Sequence, residues 1–253
     1  MDPTLRERFL ELWRRHFPAA ELPIVFFYAG DPGDAEPAAR ARGHRCLIDD
    51  LRTVRAGKSL AFGAEALGCM GARRYLGFTG TIRPDFEYFL SCGIPGRMEG
   101  ERYLRTPELV REMMERMAPL PAGGPLIVFK RWDRLAGGDE PAAAVFFAPP
   151  DVLSGLFTLA NFERAGGDGV TAPFGAGCTS VVYHPLREAA STSPRAVLGL
   201  FDVSARPFVP PGVLTFAVPI ARLARMVETA DESFLSTPSW AKVAARLGQG
   251  RPS

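Results

Sequence analysis

The chain has 253 residues, 47% of them apolar and 23% charged, with 30 basic against 28 acidic side chains and a formal net charge of +2. That length and apolar share bury a sizeable core, in one large domain or two small ones. Balanced charge spread along the chain leaves no electrostatic footprint for nucleic acid, and no apolar run approaches membrane-spanning length, so neither a nucleic acid nor a membrane is expected as a partner.

Residues 4–16 read as an amphipathic helix, with Leu5, Phe9, Leu12 and Trp13 on one face and Thr4 and Glu7 placed as a capping box. Pro18 and Pro23 end it, and Ile24–Tyr28 follows as a strand. Residues 30–43, rich in Gly, Pro, Asp and Ala, read as an exposed loop. A short helix is expected from Cys46 to Arg55, where Leu47, Leu51 and Val54 share a face, then a strand at Leu60–Phe62. Residues 64–76 read as a small-residue helix or turn around Cys69. Residues 85–92 and 107–117 read as helices, the second with Thr106 as N-cap and Pro107 at the first position. The Pro/Gly stretch 119–124 is the one candidate sub-boundary, and its length also suits an ordinary loop.

The second half alternates more clearly. Strands are expected at 126–129, 144–147, 197–201 and 214–218. Helices are expected from Asp151, with Leu153, Leu156, Phe157 and Ala160 on one face, and at 176–184, 220–229 and 239–246. The strand runs are continuously apolar, which points to a sheet covered on both faces. No internal repeat is evident. The reading is one globular domain over 1–253, α/β or α+β, with a mixed sheet covered by helices.

Three stretches carry a resemblance. The first runs from Cys46-Leu47-Ile48-Asp49-Asp50 through Gly68-Cys69-Met70-Gly71-Ala72 to Leu76-Gly77. The second joins Val128-Phe129-Lys130 to Val145-Phe146-Phe147-Ala148-Pro149-Pro150-Asp151-Val152-Leu153. The third joins Pro173-Phe174-Gly175-Ala176-Gly177-Cys178 to Arg195-Ala196-Val197-Leu198-Gly199-Leu200-Phe201-Asp202 and Arg206-Pro207. In that order and spacing they resemble the domain of unknown function 169 family of prokaryotic proteins, over about residues 22–228. The resemblance implies a free-standing cytoplasmic prokaryotic protein and carries no activity or catalytic residue with it. It directs attention to Cys46, Cys69 and Cys178, inside the matching blocks; Cys92 lies outside them.

The cysteines are the main chemical signal. Cys46, Cys69, Cys92 and Cys178 lie 23, 23 and 86 residues apart, a spacing unlike a secreted disulfide framework. In a reducing cytoplasm they are thiols, thiolates or metal ligands, and thiolate sulfur suits zinc and iron–sulfur clusters. Gly68 and Gly177 stand beside two of the sulfurs and would let a bulky cluster approach. Yet there is no C-x-x-C pair, and buried free cysteines also serve as small hydrophobes. The candidate metal ligands are Cys46, Cys69 and Cys178.

The loop Phe174-Gly175-Ala176-Gly177 before Cys178 is a candidate cofactor cradle, since successive glycines can aim N–H groups at an anion; a tight structural loop reads equally well. Cys178 near a helix start is a candidate thiolate nucleophile. His184, six residues on, does not face it on an ideal helix and precedes Pro185, which biases it out of helical geometry. Asp49 and Asp50 suit the N-terminus of the helix that Cys46 opens. Asp202 and Arg206 read as crevice residues or as a structural salt bridge. Gly57-Lys58-Ser59 lacks the upstream glycine of a phosphate loop. The expected function is a cytoplasmic small-molecule or cofactor-binding protein, with an iron–sulfur cluster or zinc as the candidate group. The alternatives are an enzyme using Cys178 as nucleophile and an interaction protein with inert buried thiols.

Overall fold

The computed structural model describes residues 1–249. In chain order its elements are α1 (Pro3–His16), β1 (Ile24–Ala29), β2 (Glu36–Pro37), α2 (Leu47–Arg55), β3 (Leu60–Phe62), α3 (Met70–Tyr75), α4 (Phe86–Phe89), α5 (Pro107–Arg116), β4 (Leu126–Arg131), β5 (Ala143–Ala148), α6 (Pro150–Asn161), β6 (Val170–Thr171), a π turn (Thr179–Tyr183) running into α7 (His184–Ala189), β7 (Ala196–Gly199), β8 (Leu214–Pro219), α8 (Ile220–Glu228) and α9 (Pro238–Gln249). The fold is a single α/β domain. Its eight strands form one open mixed sheet in the order β2-β3-β4-β1-β5-β8-β7-β6.

Alternation along the strands fills two cores, because successive side chains point to opposite faces. On β5, Ala143, Val145 and Phe147 join one face with Leu47, Ile48 and Leu51 of α2 and Val181, Val182 and Tyr183 of the π turn. Ala144, Phe146 and Ala148 join the other, against Phe9 and Trp13 of α1, Leu156 and Leu159 of α6, Leu223 of α8 and Trp240 of α9. Apolar side chains on both faces are why the strands read as continuous runs.

The sheet has an internal order that the sequence did not show. β1-β4-β3-β2 and β5-β8-β7-β6 each run first, fourth, third, second strand. In each half the outermost pair is parallel, β2 with β3 and β6 with β7, and the other pairings are antiparallel. The halves meet antiparallel at β1 and β5. A helix bridges each parallel pair: α2 in the first half, the π turn with α7 in the second. Both bridges pack on the same face. Strands from both sides of residues 119–124 share this sheet, so that stretch is a loop within the domain.

Several local expectations are corrected. Asp2, not Thr4, caps α1, accepting from the Thr4 N–H at 2.8 Å, with Pro3 in the first turn. Strand β2 lies inside the stretch read as an exposed loop, and β6 was not expected; each is two residues long and has no period to read. On α6 the buried face is Val152, Gly155, Leu156, Leu159 and Ala160, while Phe157 points to solvent. The helix at 176–184 continues to Ala189 through Pro185, and His184 is helical, with φ −67° and ψ −41°. Proline has no N–H for the carbonyl four residues back, and the helix widens there instead: His184 N–H reaches five residues back to Thr179 O.

Ser180 ties this helix to the chain leaving β7. Its Oγ donates to Gly177 O at 2.9 Å, accepts from Leu200 N–H at 3.2 Å and lies 3.4 Å from Thr215 Oγ1. Leu200 is buried at φ +69°, a left-handed conformation unusual for a branched side chain. Ser180→Ala strands a buried N–H at Leu200, and a loss of about 1–3 kcal/mol is expected. Urea unfolding checks it: the midpoint should fall with the slope unchanged.

Candidate functional site

Each of three cysteines stands at a helix start. Cys46 is the N-cap of α2 and Cys69 the N-cap of α3, both with extended backbone, and Cys178 immediately precedes the π turn. None of these starts has a side-chain cap hydrogen bond. Helix starts present unpaired N–H groups and a positive dipole end, which favour a thiolate or another anion.

Two close approaches bring the three segments together. A Cβ on Gly68 would stand 2.8 Å from both N and Cβ of Arg45, so the chain before Cys69 lies on the residue before Cys46. A Cβ on Gly177 would stand 3.1 Å from a side-chain carbon of Ile48, 3.0 Å from Ala205 and 3.2 Å from Leu200. The residue before Cys178 therefore touches the first turn of α2. The sequence reading took these glycines as room for a cluster; the structure fills that room with neighbouring chain.

The thiols share one electrostatic neighbourhood. Cys178 is buried, with 6% of its surface exposed, and Cys46 and Cys69 pack part-buried against the same core. Burial, then the neighbouring charges of Cys69, Cys46 and Asp202, push the Cys178 thiol well above its usual range. Burial also raises the Cys46 thiol, against the N–H groups of Ile48 and Asp49, with Cys69 and Asp202 adding to the rise. Tyr75 forms part of the wall, edge-on to Tyr183 at 5.9 Å, and burial followed by the Cys178 charge lifts its hydroxyl to about 12. Cys92 is exposed and contributes to none of these shifts. Among the described residues, no group of three or more His, Cys, Asp or Glu side chains is gathered closely enough for a single metal ion.

Asp202 closes one side. Its Oδ2 accepts from Gly177 N–H at 2.9 Å, and its Oδ1 from Ser204 N–H at 3.0 Å, Ser204 Oγ at 2.8 Å and Tyr103 OH at 3.3 Å. The expected Asp202–Arg206 salt bridge does not form; Arg206 donates to Val213 O instead. Gly177 N–H, the donor an anion would need from the glycine loop, is thus already taken by a carboxylate of the chain. Within that loop Phe174 is exposed, 6.4 Å from the Tyr103 ring, and Gly175 faces Thr179 Oγ1. Of the residues around the thiols, sequence reasoning missed Tyr75 and Tyr103, which no local spacing connects to the cysteines.

His184 packs edge-on against Tyr183 at 5.1 Å. Its Nε2 is buried without a partner, and burial, aided by Arg187, lowers its pKa to about 4. Asp50, in the first turn of α2, pairs with Arg45; burial lifts its carboxyl to about 6 against that pull. An open groove of about 610 Å³ lies toward the other end of α2, lined by Arg52, Arg55 and Phe208 and by none of the cysteines. No helix among the described residues is long and apolar enough to cross a membrane.

The sequence profile of the domain of unknown function 169 family, described as an uncharacterised ArCR, matches residues 24–229. That span takes in the whole sheet, all four cysteines and Asp202, and the chain belongs to this family. No curated protein matches the chain, and no solved structure does.

Two outcomes follow from this geometry. In metal-free folded protein, iodoacetamide near neutral pH should label exposed Cys92 at least about tenfold faster than Cys178, whose thiolate is both buried and disfavoured; peptide mass spectrometry reads the ratio. Asp50 has a raised folded pKa, so its contribution to stability is present below about pH 4 and lost as pH rises through about 6. The stability gained by Asp50→Asn over wild type should therefore open through that window and close below it, as measured by urea midpoints across pH.

Proposed function

We propose that this protein holds an iron–sulfur cluster through Cys46, Cys69 and Cys178, as the cofactor of a small-molecule site in a cytoplasmic prokaryotic protein of the domain of unknown function 169 family. The observation that carries the reading is the contact between the three cysteine-bearing segments, from well-separated parts of the chain, with Cys46 and Cys69 among the charges that raise the Cys178 thiol. Soft thiolates are the ligands that such clusters take, and the cluster's potential responds to nearby hydrogen bonds and charge. Three thiolates beside a carboxylate repel one another in a part-buried space, and bound iron supplies the positive charge that offsets this. A cluster accepts sulfurs spread over its corners, which suits a set too dispersed for one zinc ion. All four cysteines are free thiols, which supports a reducing compartment.

A nucleophilic Cys178 fits less well. Reactive cysteines are exposed with lowered pKa values, whereas Cys178 is buried and raised. The test is anaerobic purification of untagged protein with iron and sulfide analysis and a visible absorption spectrum. Stoichiometric iron and sulfide, lost in Cys46→Ser, Cys69→Ser and Cys178→Ser but kept in Cys92→Ser, is the expected result. Colourless, well-folded wild type that takes up no iron on reconstitution sinks the reading and favours inert thiols.

A further inference from the structure

The groove at the C-terminal end of α2 is built around one preorganised guanidinium. Arg55 lies over the buried Phe147 ring, with its Cζ 4.5 Å from the ring centre. It donates to Glu21 from Nε at 2.7 Å and from Nη2 at 2.8 Å, so a carboxylate and a ring fix the group by one edge and one face. Only 13% of the Arg55 side chain is exposed, and among the described residues no acceptor takes its Nη1 edge. An arginine held in this way has already lost the freedom that binding would otherwise cost.

Arg52, one turn earlier on α2, lines the same groove and is 64% exposed, with Asp49 as its partner at 3.1 Å. A solvent-facing pair of that kind is weak and yields to a competing anion. The apolar part of the lining is Ala56 with Pro207, Phe208, Val209 and Pro210, the last four from the connection of β7 to β8. The volume, about 610 Å³, falls inside the range of small-molecule sites, roughly 300–1,000 Å³.

Charge decides the class of ligand. The lining holds two guanidinium groups and one carboxylate, which leaves one positive charge to be matched. The C-terminal end of α2 brings partial negative charge, which disfavours a dianion such as a phosphate ester. Arg55 O already accepts from Arg131 Nη1 at 3.2 Å, so this carbonyl is not open to a cationic ligand. We infer that the groove binds a small organic carboxylate with a flat apolar body, the carboxylate between Arg52 and Arg55 and the body against Phe208 and the prolines. This site is separate from the cysteines and stands whether or not they hold a cluster.

The test is equilibrium dialysis of the purified full-length protein against naphthoate. Wild type should bind one equivalent with Kd below about 1 mM, an ordinary efficiency for a ligand of that size. Arg52→Ala, at an exposed position where folding is kept, should weaken binding about fivefold or more through loss of a charge-assisted hydrogen bond. Phe208→Ala should weaken it about tenfold through loss of apolar contact, and Phe174→Ala, in the glycine loop before Cys178, should leave it unchanged. Naphthalenemethanol, which lacks the charge, should bind at least about tenfold more weakly than naphthoate. No saturable binding by wild type, or binding indifferent to both Arg52→Ala and the missing carboxylate, overturns the inference. Tighter binding of naphthyl phosphate than of naphthoate overturns the choice of a carboxylate. The ligand comparisons use wild type alone and decide the matter even where Phe208→Ala misfolds.

Discussion

Gly68 lies on the backbone of Arg45 and Gly177 on the side chain of Ile48, and the meeting of the three cysteine segments depends on these two approaches. A methyl group at Gly68 would push against backbone, which has no rotamer to change, and would separate the Cys46 and Cys69 segments. At Gly177 it would meet three apolar side chains at 3.0–3.2 Å, a tighter fit than packed interiors accept without strain. The Ser180 hydroxyl then locks the Cys178 helix to the chain that carries Asp202. Packing, rather than any cysteine motif, positions the thiols.

Electrostatics gives the gathering its meaning. Burial, then the charges of neighbouring groups, raise the Cys46 and Cys178 thiols, and the helix starts beside them supply only partial positive charge. Keeping two raised thiols near a carboxylate carries an electrostatic cost, and groups perturbed in this way cluster at functional sites. The two-half sheet adds a reason for the arrangement. A repeated strand order brings the two bridging helices to one face, so each half supplies a helix-start cysteine there.

Much of the fold was legible because its signals are local. The six-residue strands β1, β4, β5 and β8 are apolar runs bounded by turns, and α5 carries its Thr106 cap and first-turn proline openly. The edge strands β2 and β6 were not legible, since two residues pairing in parallel leave no period. The π turn escaped because Pro185 reads as a helix boundary, whereas the surrounding contacts keep the helix going and absorb the missing N–H in a wider turn. The repeat was invisible for a different reason: the halves share strand order and pairing sense, while their connections differ in length and content. Cysteines were readable as residue types worth attention, yet their convergence is tertiary. Asp202 looked like half of a salt bridge and is instead the acceptor that fixes the start of the Cys178 helix.

The account turns on whether Cys46, Cys69 and Cys178 bind one group together. Crystals of anaerobically prepared protein, with diffraction collected on both sides of the iron absorption edge, test this most directly. The account predicts strong iron anomalous density among the three sulfurs, beside Asp202 and away from Cys92. Iron bound at Cys92 or on the surface, with the three sulfurs packed against one another as free thiols, would contradict it.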